Sequence, residues 1–246
     1  IKDPDTLLFA GDQNSNFKSG GQFVKSVIVD KDGNQILTLL DLLSVENLKL
    51  NKGGLNAQEN NVELTGDGDF SGGEVTNSDS IKFKGVQPAN LKSGGQFLKS
   101  VIVDKEGDQK LTLQDMLQVE NIQLKKGKLD VEEYTISMAG DADFSGGQII
   151  DPDSLKFIGD QQSNLKTGGQ FIKSVVVNKE GAGKLQLQDD LSVDDLNVEK
   201  GKLEAQSVEV QIFNSMRVKL DSEADIKENT VLKLGEGIDI EDGGTI

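Results

Sequence analysis

The chain has no cysteine, no histidine and no tryptophan among its 246 residues. Without cysteine it can form neither disulfide bonds nor thiolate metal sites. Without histidine it lacks the commonest general base and the commonest ligand of transition metals, which argues against catalytic triads and against histidine-ligated zinc or iron. Acid–base chemistry would depend on carboxylates, lysines, Tyr134 and the single arginine, Arg217.

Prolines, long apolar runs and basic runs are also scarce or missing. Three prolines accompany 28 glycines, a balance that indicates many ordered turns rather than a disordered chain. The sequence contains no run of apolar residues long enough for a membrane-spanning helix, so we expect no direct membrane insertion. The formal charge of −16 repels phosphate groups, so we expect no nucleic acid partner.

The most specific pattern in the sequence is an internal repeat of 74 residues. One segment begins at Ser19, Ser93 and Thr167 and reads SGGQFVKSVIVDKDG, SGGQFLKSVIVDKEG and TGGQFIKSVVVNKEG. A second motif keeps the same spacing and reads KGGL, KGKL and KGKL from Lys52, Lys126 and Lys200. Repeats of this kind are typical of solenoids, in which each unit buries its apolar face against the next.

Each repeat consists of short stretches in which apolar and polar residues alternate. Examples are residues 101–103 (VIV), 111–113 (LTL) and 122–124 (IQL), which are separated by turns rich in Gly, Asp, Asn and Lys. The alternation predicts strands, because successive side chains of a strand point to opposite faces. Strands this short bury a continuous core only when they stack as successive coils. We therefore predict an all-β fold, a parallel β-helix (β-solenoid) built from three repeats.

The repeat pattern divides the chain into residues 1–77, 78–150 and 151–213, followed by 214–246 as divergent C-terminal rungs or a cap. Tandem antiparallel β-sandwich domains are the alternative. Residues 27–39 favour them, because Asp32-Gly33 lies between two alternating segments as in a hairpin. The second repeat has Glu106-Gly107 at this place and the third has the longer segment 180–183 (EGAG), a change that a two-residue hairpin turn tolerates poorly.

The repeat unit resembles those of large secreted surface proteins of gliding and other Bacteroidetes-type bacteria. The resemblance covers about residues 3 to 213 and rests on the glycine–phenylalanine and leucine motifs, such as IKFKG from Ile81 and SGGQFLKSVIV from Ser93. It implies a right-handed β-helix, export by the type IX secretion route and an extracellular or cell-surface location. At 74 residues per unit we expect about three turns in each repeat and about ten in all.

Two segments, GDGDFSGG at residues 66–73 and GDADFSGG at 140–147, read like the start of a calcium loop. The candidate ligands are Asp67, Asp69, Ser71, Asp141, Asp143 and Ser145. EF-hand loops need a bidentate Glu at position twelve, where these segments have Ser78 and Pro152. The third repeat aligns Ser215, Arg217 and Lys219 with the second set of ligands. We therefore interpret both segments as solenoid corners, with calcium binding as the alternative, and we expect no cofactor other than this calcium candidate.

Phenylalanine recurs at two places in every repeat, Phe9, Phe83 and Phe157 and then Phe23, Phe97 and Phe171. Exposed aromatic rings could stack on sugars, whereas rings at regular positions of a repeat fill a core. With no tryptophan and one tyrosine in the chain, we predict that all six rings lie in the core. We also predict that Phe70 and Phe144 of the two corner segments turn inward.

These patterns favour a structural role. Arg217 is isolated, and the acidic pairs at residues 189–190 and 194–195 do not form a set of converging carboxylates in every repeat, so we predict no enzymatic activity. We expect a non-enzymatic extracellular repeat protein: the stalk or spacer of a surface adhesin, or a filament subunit. Its partners would be neighbouring repeats or identical subunits, end to end. The alternative is a glycan-binding or polysaccharide-cleaving β-helix with extracellular glycans as partners.

Overall fold

The computed structural model describes residues 5–219, 222–227, 231–235 and 237–240. This part of the chain contains 28 β-strands and no helix. The chain forms two compact units. Unit 1 consists of Ile1–Gln118 and Lys125–Asp130, and unit 2 of Val119–Leu124 and Val131–Ile246.

Unit 1 contains short strands whose lengths range from two to nine residues, apart from two of ten. They are β1 (Leu7–Gly11), β2 (Ser15–Phe17), β3 (Phe23–Lys31), β4 (Ile36–Leu39), β5 (Leu43–Lys52), β6 (Gly54–Asn56), β7 (Val62–Leu64), β8 (Gly68–Asp69), β9 (Glu74–Thr76), β10 (Ile81–Gly85), β11 (Ala89–Lys92), β12 (Phe97–Lys105), β13 (Lys110–Leu113), β14 (Leu117–Lys126) and β15 (Lys128–Asp130). The central residues of β14 are assigned to unit 2.

Unit 2 contains strands of the same kind. They are β16 (Thr135–Met138), β17 (Ala142–Asp143), β18 (Gln148–Ile150), β19 (Ser154–Phe157), β20 (Ser163–Lys166), β21 (Phe171–Asn178), β22 (Lys184–Leu187), β23 (Leu191–Lys200), β24 (Lys202–Ala205), β25 (Glu209–Val218), β26 (Glu223–Ile226), β27 (Val231–Leu234) and β28 (Gly237–Ile240).

The strands of unit 1 pair in three parallel ladders, and each turn of the chain contributes one segment to each ladder. The Leu7 ladder runs Leu7, Val27, Leu48, Gly68, Leu91 and Leu113. The Ser15 ladder runs Ser15, Leu37, Leu55 and Val75. The Val24 ladder runs Val24, Val45, Leu64, Phe83 and Val103. Unit 1 is therefore a three-sided parallel β-solenoid.

Unit 2 has the same construction. The Ile136 ladder runs Ile136, Leu155, Val175, Leu196 and Met216. The Ile122 ladder begins Ile122, Ala142 and Leu165, and the Ile172 ladder runs Ile172, Val193, Ile212 and Leu234. The register shifts between Val193 and Asp195, where β25 has an extra residue opposite β23. Every strand pair for which a register is described is parallel, so the antiparallel sandwich alternative is excluded for these residues.

The core of each unit follows from the alternation of the strands. In β7 the side chains of Val62 and Leu64 are fully buried while Glu63 between them points outward. Stacking repeats this pattern in each ladder, so apolar side chains from successive turns touch along the inside. Burying one side chain such as Leu64 stabilises the fold by about 1.5 to 3 kcal/mol. Many short strands therefore sum to a continuous core that no single strand could form.

The repeat and the turn have different periods. Leu7 and Ile81 occupy equivalent positions of two repeats, yet Leu7 starts its own ladder while Ile81 lies in the Val24 ladder, beside Val62 and Val101. Three turns after Leu7 the Leu7 ladder reaches Gly68, and four turns reach Leu91. A repeat therefore spans more than three and fewer than four turns.

This result corrects the expectation of about three turns in each repeat. The same displacement occurs in unit 2, where Ile136 lies in one ladder and Val210, 74 residues later, lies in another. Equivalent residues of successive repeats thus face different sides of the coil. The repeat boundaries at residues 77, 150 and 213 stay predictions. Of the tail at 214–246, residues 220–221, 228–230, 236 and 241–246 lie outside the described residues, as do residues 1–4.

Candidate functional site

The predicted calcium ligands of unit 1 lie between β7 and β9, with Asp67 at the corner after β7, Asp69 at the end of β8 and Ser71 after it. Asp67 Oδ1 accepts hydrogen bonds from the backbone N and from Nδ2 of Asn90 on the next turn, at 2.8 and 3.0 Å. Asp69 Oδ1 accepts from N and Oγ of Ser71, at 3.1 and 2.6 Å. Burial raises the pKa of Asp69, but these two bonds and nearby lysines outweigh burial and leave the pKa below its usual value.

The corner of unit 2 repeats these contacts. Asp141 Oδ1 accepts from N and Nδ2 of Asn164 at 2.8 and 3.0 Å, and Asp143 Oδ1 accepts from N and Oγ of Ser145 at 2.9 and 2.6 Å. In both units one aspartate bonds to the following turn and the other bonds within its own corner. The carboxylates are therefore engaged by protein donors.

Metal binding at these corners stays a prediction. The described residues contain no group of three or more carboxylates placed to hold a metal ion. The predicted inward orientation of Phe70 and Phe144 is confirmed, because both rings are fully buried. What the corners visibly do is tie one turn to the next, through Asp67 to Asn90 and through Asp141 to Asn164.

The third repeat replaces the corner with a continuous strand, β25. Ser215 Oγ donates to Asp195 Oδ1 at 2.6 Å, and Lys219 Nζ lies 3.3 Å from Glu199 Oε1. Arg217 pairs in register with Asn197 of the preceding turn. Ser215 and Arg217 thus lie in a paired strand, and Lys219 directly follows it, at the place where the first two repeats turn a corner.

A buried lysine in every repeat is a feature that our sequence analysis missed. Lys31, Lys105 and Lys179 are 2%, 0% and 1% exposed. Lys105 Nζ donates to the carbonyl oxygens of Thr65, two turns earlier, and Lys84, one turn earlier, at 2.9 and 3.0 Å. One ammonium group thereby connects three successive turns of unit 1.

Lys179 makes the equivalent contacts in unit 2. Its Nζ donates to the carbonyl oxygens of Ala139 at 2.9 Å and Ile158 at 2.6 Å, and also to Ser163 Oγ. Burial lowers the pKa of both Lys105 and Lys179 to about 8, an effect that Asp67 opposes at Lys105 and Asp141 opposes at Lys179. We call each of these groups, the lysine with the carbonyl oxygens that accept from it, a lysine cradle.

A glycine one turn later makes room for each lysine cradle. A Cβ atom added to Gly127 would lie 2.7 Å from Lys105 Cβ, and one added to Gly201 would lie 2.7 Å from Lys179 Cβ. Both glycines have a φ in the left-handed region, +80° and +75°. The recurring KG motif and the recurring lysine of VDK or VNK are therefore two halves of one packing arrangement. Their constant spacing was the signal that could have revealed it.

Recurring carboxylates and amides also bond to the backbone. Asp115 accepts from the backbone N of Ser93 at 2.8 Å and of Gly94 at 2.7 Å. Asp41 and Asp189 make equivalent bonds in the other repeats. The hydrogen bond that Asp41 accepts from the backbone N of Ser19 lowers the pKa of Asp41. These side chains hold the glycine loops that precede β3, β12 and β21.

Gln96 and Gln170 follow the same glycine loops and make four bonds each. Gln96 Nε2 donates to three backbone carbonyl oxygens at 2.9 to 3.2 Å, and its Oε1 accepts from the backbone N of Val75 at 2.7 Å. Gln170 repeats this arrangement with the backbone N of Ile149 and three carbonyl oxygens. The glutamine of the GGQF motif is thus a backbone partner in both units.

The prediction for the phenylalanines was right for one set and wrong for the other. Phe83 and Phe157 are fully buried and Phe9 is half-buried. The other set, Phe23, Phe97 and Phe171, is exposed by 52%, 49% and 50%. Each of these begins its strand, and the apolar residue after it points into the core instead. The lysine two positions after each ring marks the same outer face, a signal that sequence analysis could have used.

The third repeat places one of these exposed rings beside a second ring. The centroids of Phe171 and Phe213 lie 5.8 Å apart with their planes tilted by 60°. Phe171 also borders a cleft of about 390 Å³, together with Pro152, Lys173 and Asp194. We call this the Phe171 cleft. Its remaining lining is Glu133, Gln148, Ile149, Ile150 and Asp151.

Comparison with known proteins identifies no relative: no protein-family model, no curated protein and no solved structure matches the chain. Within the residues that the structure describes, no helix has the length and apolar character needed to cross a membrane.

Proposed function

We propose that the chain is a non-enzymatic structural repeat protein of the extracellular space or cell surface. It would serve as the stalk or spacer of an adhesin, or as a subunit that stacks end to end. One observation carries the proposal: several polar side chains at recurring positions of the repeats bond to the backbone of their own or neighbouring turns. Lys105, Asp115 and Gln96 illustrate this in unit 1, and Lys179, Asp189 and Gln170 in unit 2.

Side chains used in this way favour a mechanical role. Carbonyl oxygens at the corners of a coil lack strand partners, and a buried carbonyl without a donor costs about 1 to 3 kcal/mol. The lysine cradles supply donors at such corners, so each turn is connected to its neighbours through more than its strands. The net charge of −16 would keep parallel copies apart by repulsion.

The acidic pairs also support a non-enzymatic role. Asp189 holds the loop at Thr167, Asp190 Oδ1 accepts from the backbone N of Glu209 at 2.7 Å, and Asp195 Oδ1 accepts from Asn214 and Ser215. Glycoside hydrolysis needs two free carboxyl groups facing one bond. Three of these four carboxylates bond to their own chain instead.

A replacement experiment tests the spacer role in the source organism. The segment would be replaced, within its native gene, by an unrelated β-solenoid of the same number of turns, and a deletion of the segment would serve as the control. We expect the replacement to keep surface display, measured by antibody labelling of intact cells, and to keep adhesion, whereas the deletion reduces adhesion. Loss of adhesion in the replacement, with display intact, would contradict the spacer role.

Glycan binding is the second candidate function, and a specific observation favours it. Phe23, Phe97 and Phe171 are half exposed at equivalent positions, although exposure of a large apolar ring to water is unfavourable. An aromatic face in a cleft with polar residues is a common way to bind a sugar ring. Of these three rings, Phe171 has a second exposed ring as its neighbour.

A further inference from the structure

The third repeat departs from the other two beside its exposed phenylalanine. Phe213 occupies the position held by Thr65 in the first repeat and Ala139 in the second. It follows Ile212, where the register of β23 and β25 shifts, and its side chain is 45% exposed. The extra residue of β25 thus brings a second ring against Phe171, at a place where neither earlier repeat has an aromatic residue.

The polar side chains of the Phe171 cleft differ from the recurring ones described above. Within the described residues, the side chains of Glu133, Gln148 and Asp194 have no hydrogen-bond or ion-pair partner. Lys173 Nζ lies 3.2 Å from Asp153 Oδ1, which neutralises much of its charge. The cleft therefore offers an apolar ring face with carboxylate and amide groups free to bond a ligand.

The negative charge of the Phe171 cleft restricts the class of ligand that the cleft can bind. Glu133, Asp151 and Asp194 give the cleft three carboxylates against one paired lysine, and the whole chain carries −16. A uronic acid or sulfated sugar would meet like charges in the cleft and in the surrounding field, which costs affinity. An uncharged sugar, or one that bears an amine, meets acceptors for its hydroxyl or ammonium hydrogens and a ring for its C–H face.

We propose that the Phe171 cleft binds an uncharged or amine-bearing sugar residue of a glycan. The ring of Phe171 receives the apolar face of the sugar, Phe213 holds that ring in place, and Asp194 and Glu133 accept hydrogen bonds from the sugar. This site is independent of the proposed spacer role, since a spacer can carry one binding site without losing its mechanical function.

Affinity electrophoresis and calorimetry on the purified chain test the site. The probes are oligosaccharides of glucose and galactose, oligosaccharides of glucosamine, and a polyuronate. We expect retention by an uncharged or an amino-sugar probe and none by the polyuronate. The Phe171→Ala variant should bind about tenfold more weakly, the loss expected for one aromatic contact.

Phe23→Ala is the matched control, because Phe23 has the same position and exposure in unit 1 but Thr65 in place of Phe213. We expect it to bind like the unchanged chain. Phe213→Ala is a second variant that leaves Phe171 intact, and it should weaken binding by less than Phe171→Ala. Binding of the polyuronate alone, no binding of any probe, or equal loss in the Phe23→Ala and Phe171→Ala variants would each overturn the proposal.

Discussion

The lysine cradles of Lys105 in unit 1 and Lys179 in unit 2 occupy equivalent positions but have different sets of partners. Lys105 in unit 1 donates to two carbonyl oxygens, from one and two turns earlier. Lys179 in unit 2 donates to two equivalent carbonyl oxygens and also to the hydroxyl of Ser163, as Lys31 does to the hydroxyl of Ser15, whereas Ala89 holds this position beside Lys105. The contacts with carbonyl oxygens are thus common to both cradles, whereas the contact with a hydroxyl occurs at Lys179 and not at Lys105.

This difference separates two contributions to stability. The carbonyl contacts satisfy backbone groups that strand pairing leaves over at a corner, a need that every turn of a solenoid has. The hydroxyl gives the ammonium group one further acceptor, and Ser163 Oγ also donates to the carbonyl oxygen of Ala139 at 3.0 Å, whereas Ala89 offers neither bond. We therefore expect the change in the free energy of unfolding to decrease in this order: substitution of the glycine, substitution of the lysine, deprotonation of the lysine and exchange of the hydroxyl.

The largest effect should come from filling the space opposite the lysine. Gly127→Ala places a Cβ 2.7 Å from Lys105 Cβ and also imposes a φ of +80° on an alanine. Overpacking together with left-handed strain should lower the free energy of unfolding by roughly 3 to 5 kcal/mol. Gly95→Ala is the control, since its φ is +74° but nothing lies within 4 Å of an added Cβ. Equal losses in urea unfolding would show that strain alone matters.

Removal of the ammonium group should have the next largest effect. Lys105→Met and Lys179→Met keep the apolar stem but remove the ammonium donor from two carbonyl oxygens, those of Thr65 and Lys84 in unit 1 and those of Ala139 and Ile158 in unit 2. We expect losses of about 2 to 4 kcal/mol, smaller for Lys179 because Ser163 Oγ still donates to the carbonyl oxygen of Ala139 at 3.0 Å. Lys99→Met, at an exposed lysine with a long ion pair, is the control and should change stability by less than about 0.5 kcal/mol. A Met variant as stable as the unchanged chain would refute the cradle.

Titration of the lysine should have an effect no larger than its removal, since the side chain stays in place and only the proton is lost. The folded pKa of Lys105 is about 8, below the ordinary 10.5. Between these two values the unfolded chain holds the extra proton, so the stability of the unchanged chain should rise with pH relative to Lys105→Met. Below pH 8 the cost of burying the charge is fully present and the difference should be constant. Paired urea titrations between pH 7 and 10.5 measure it, and a difference that falls with pH contradicts the assignment.

The smallest effect should come from exchanging the hydroxyl between the units. Ala89→Ser would offer Lys105 the contact that Lys179 has, and Ser163→Ala would remove it from Lys179. We expect a gain of about 1 kcal/mol for the first variant and a loss of about 1 kcal/mol for the second, the usual net value of one hydrogen bond. Thermal unfolding of the two variants and of the double exchange would measure both. If the two changes shift stability in the same direction, the partner sets do not explain the difference between the cradles.

The recurrence of a motif in the sequence did not determine where the motif lies in the fold. Strand stacking was predictable, because segments as short as residues 62–64 bury enough surface only in successive coils. The exposed position of Phe171 was harder to predict, since Phe171 and Ile172 are adjacent apolar residues and the position of Lys173, on the same face as Phe171, is the signal that distinguishes them. The calcium candidates, such as Asp67 and Asp69, followed from a local resemblance to calcium loops. In the structure Asp67 accepts a hydrogen bond from the next turn and Asp69 accepts one from its own turn.

The sequence by itself determined that the chain is a repetitive all-β protein and favoured stacked parallel coils, because these conclusions need only the spacing of motifs and the alternation of side chains. The tertiary structure alone decided between parallel coils and antiparallel sandwiches, how many turns a repeat spans and to which carbonyl oxygens Lys105 and Lys179 donate. The physical reason is that these features depend on how the corners close each turn. A corner adds residues without changing the strand pattern, so residues 74 apart arrive in different ladders and a lysine can meet carbonyl oxygens from two earlier turns.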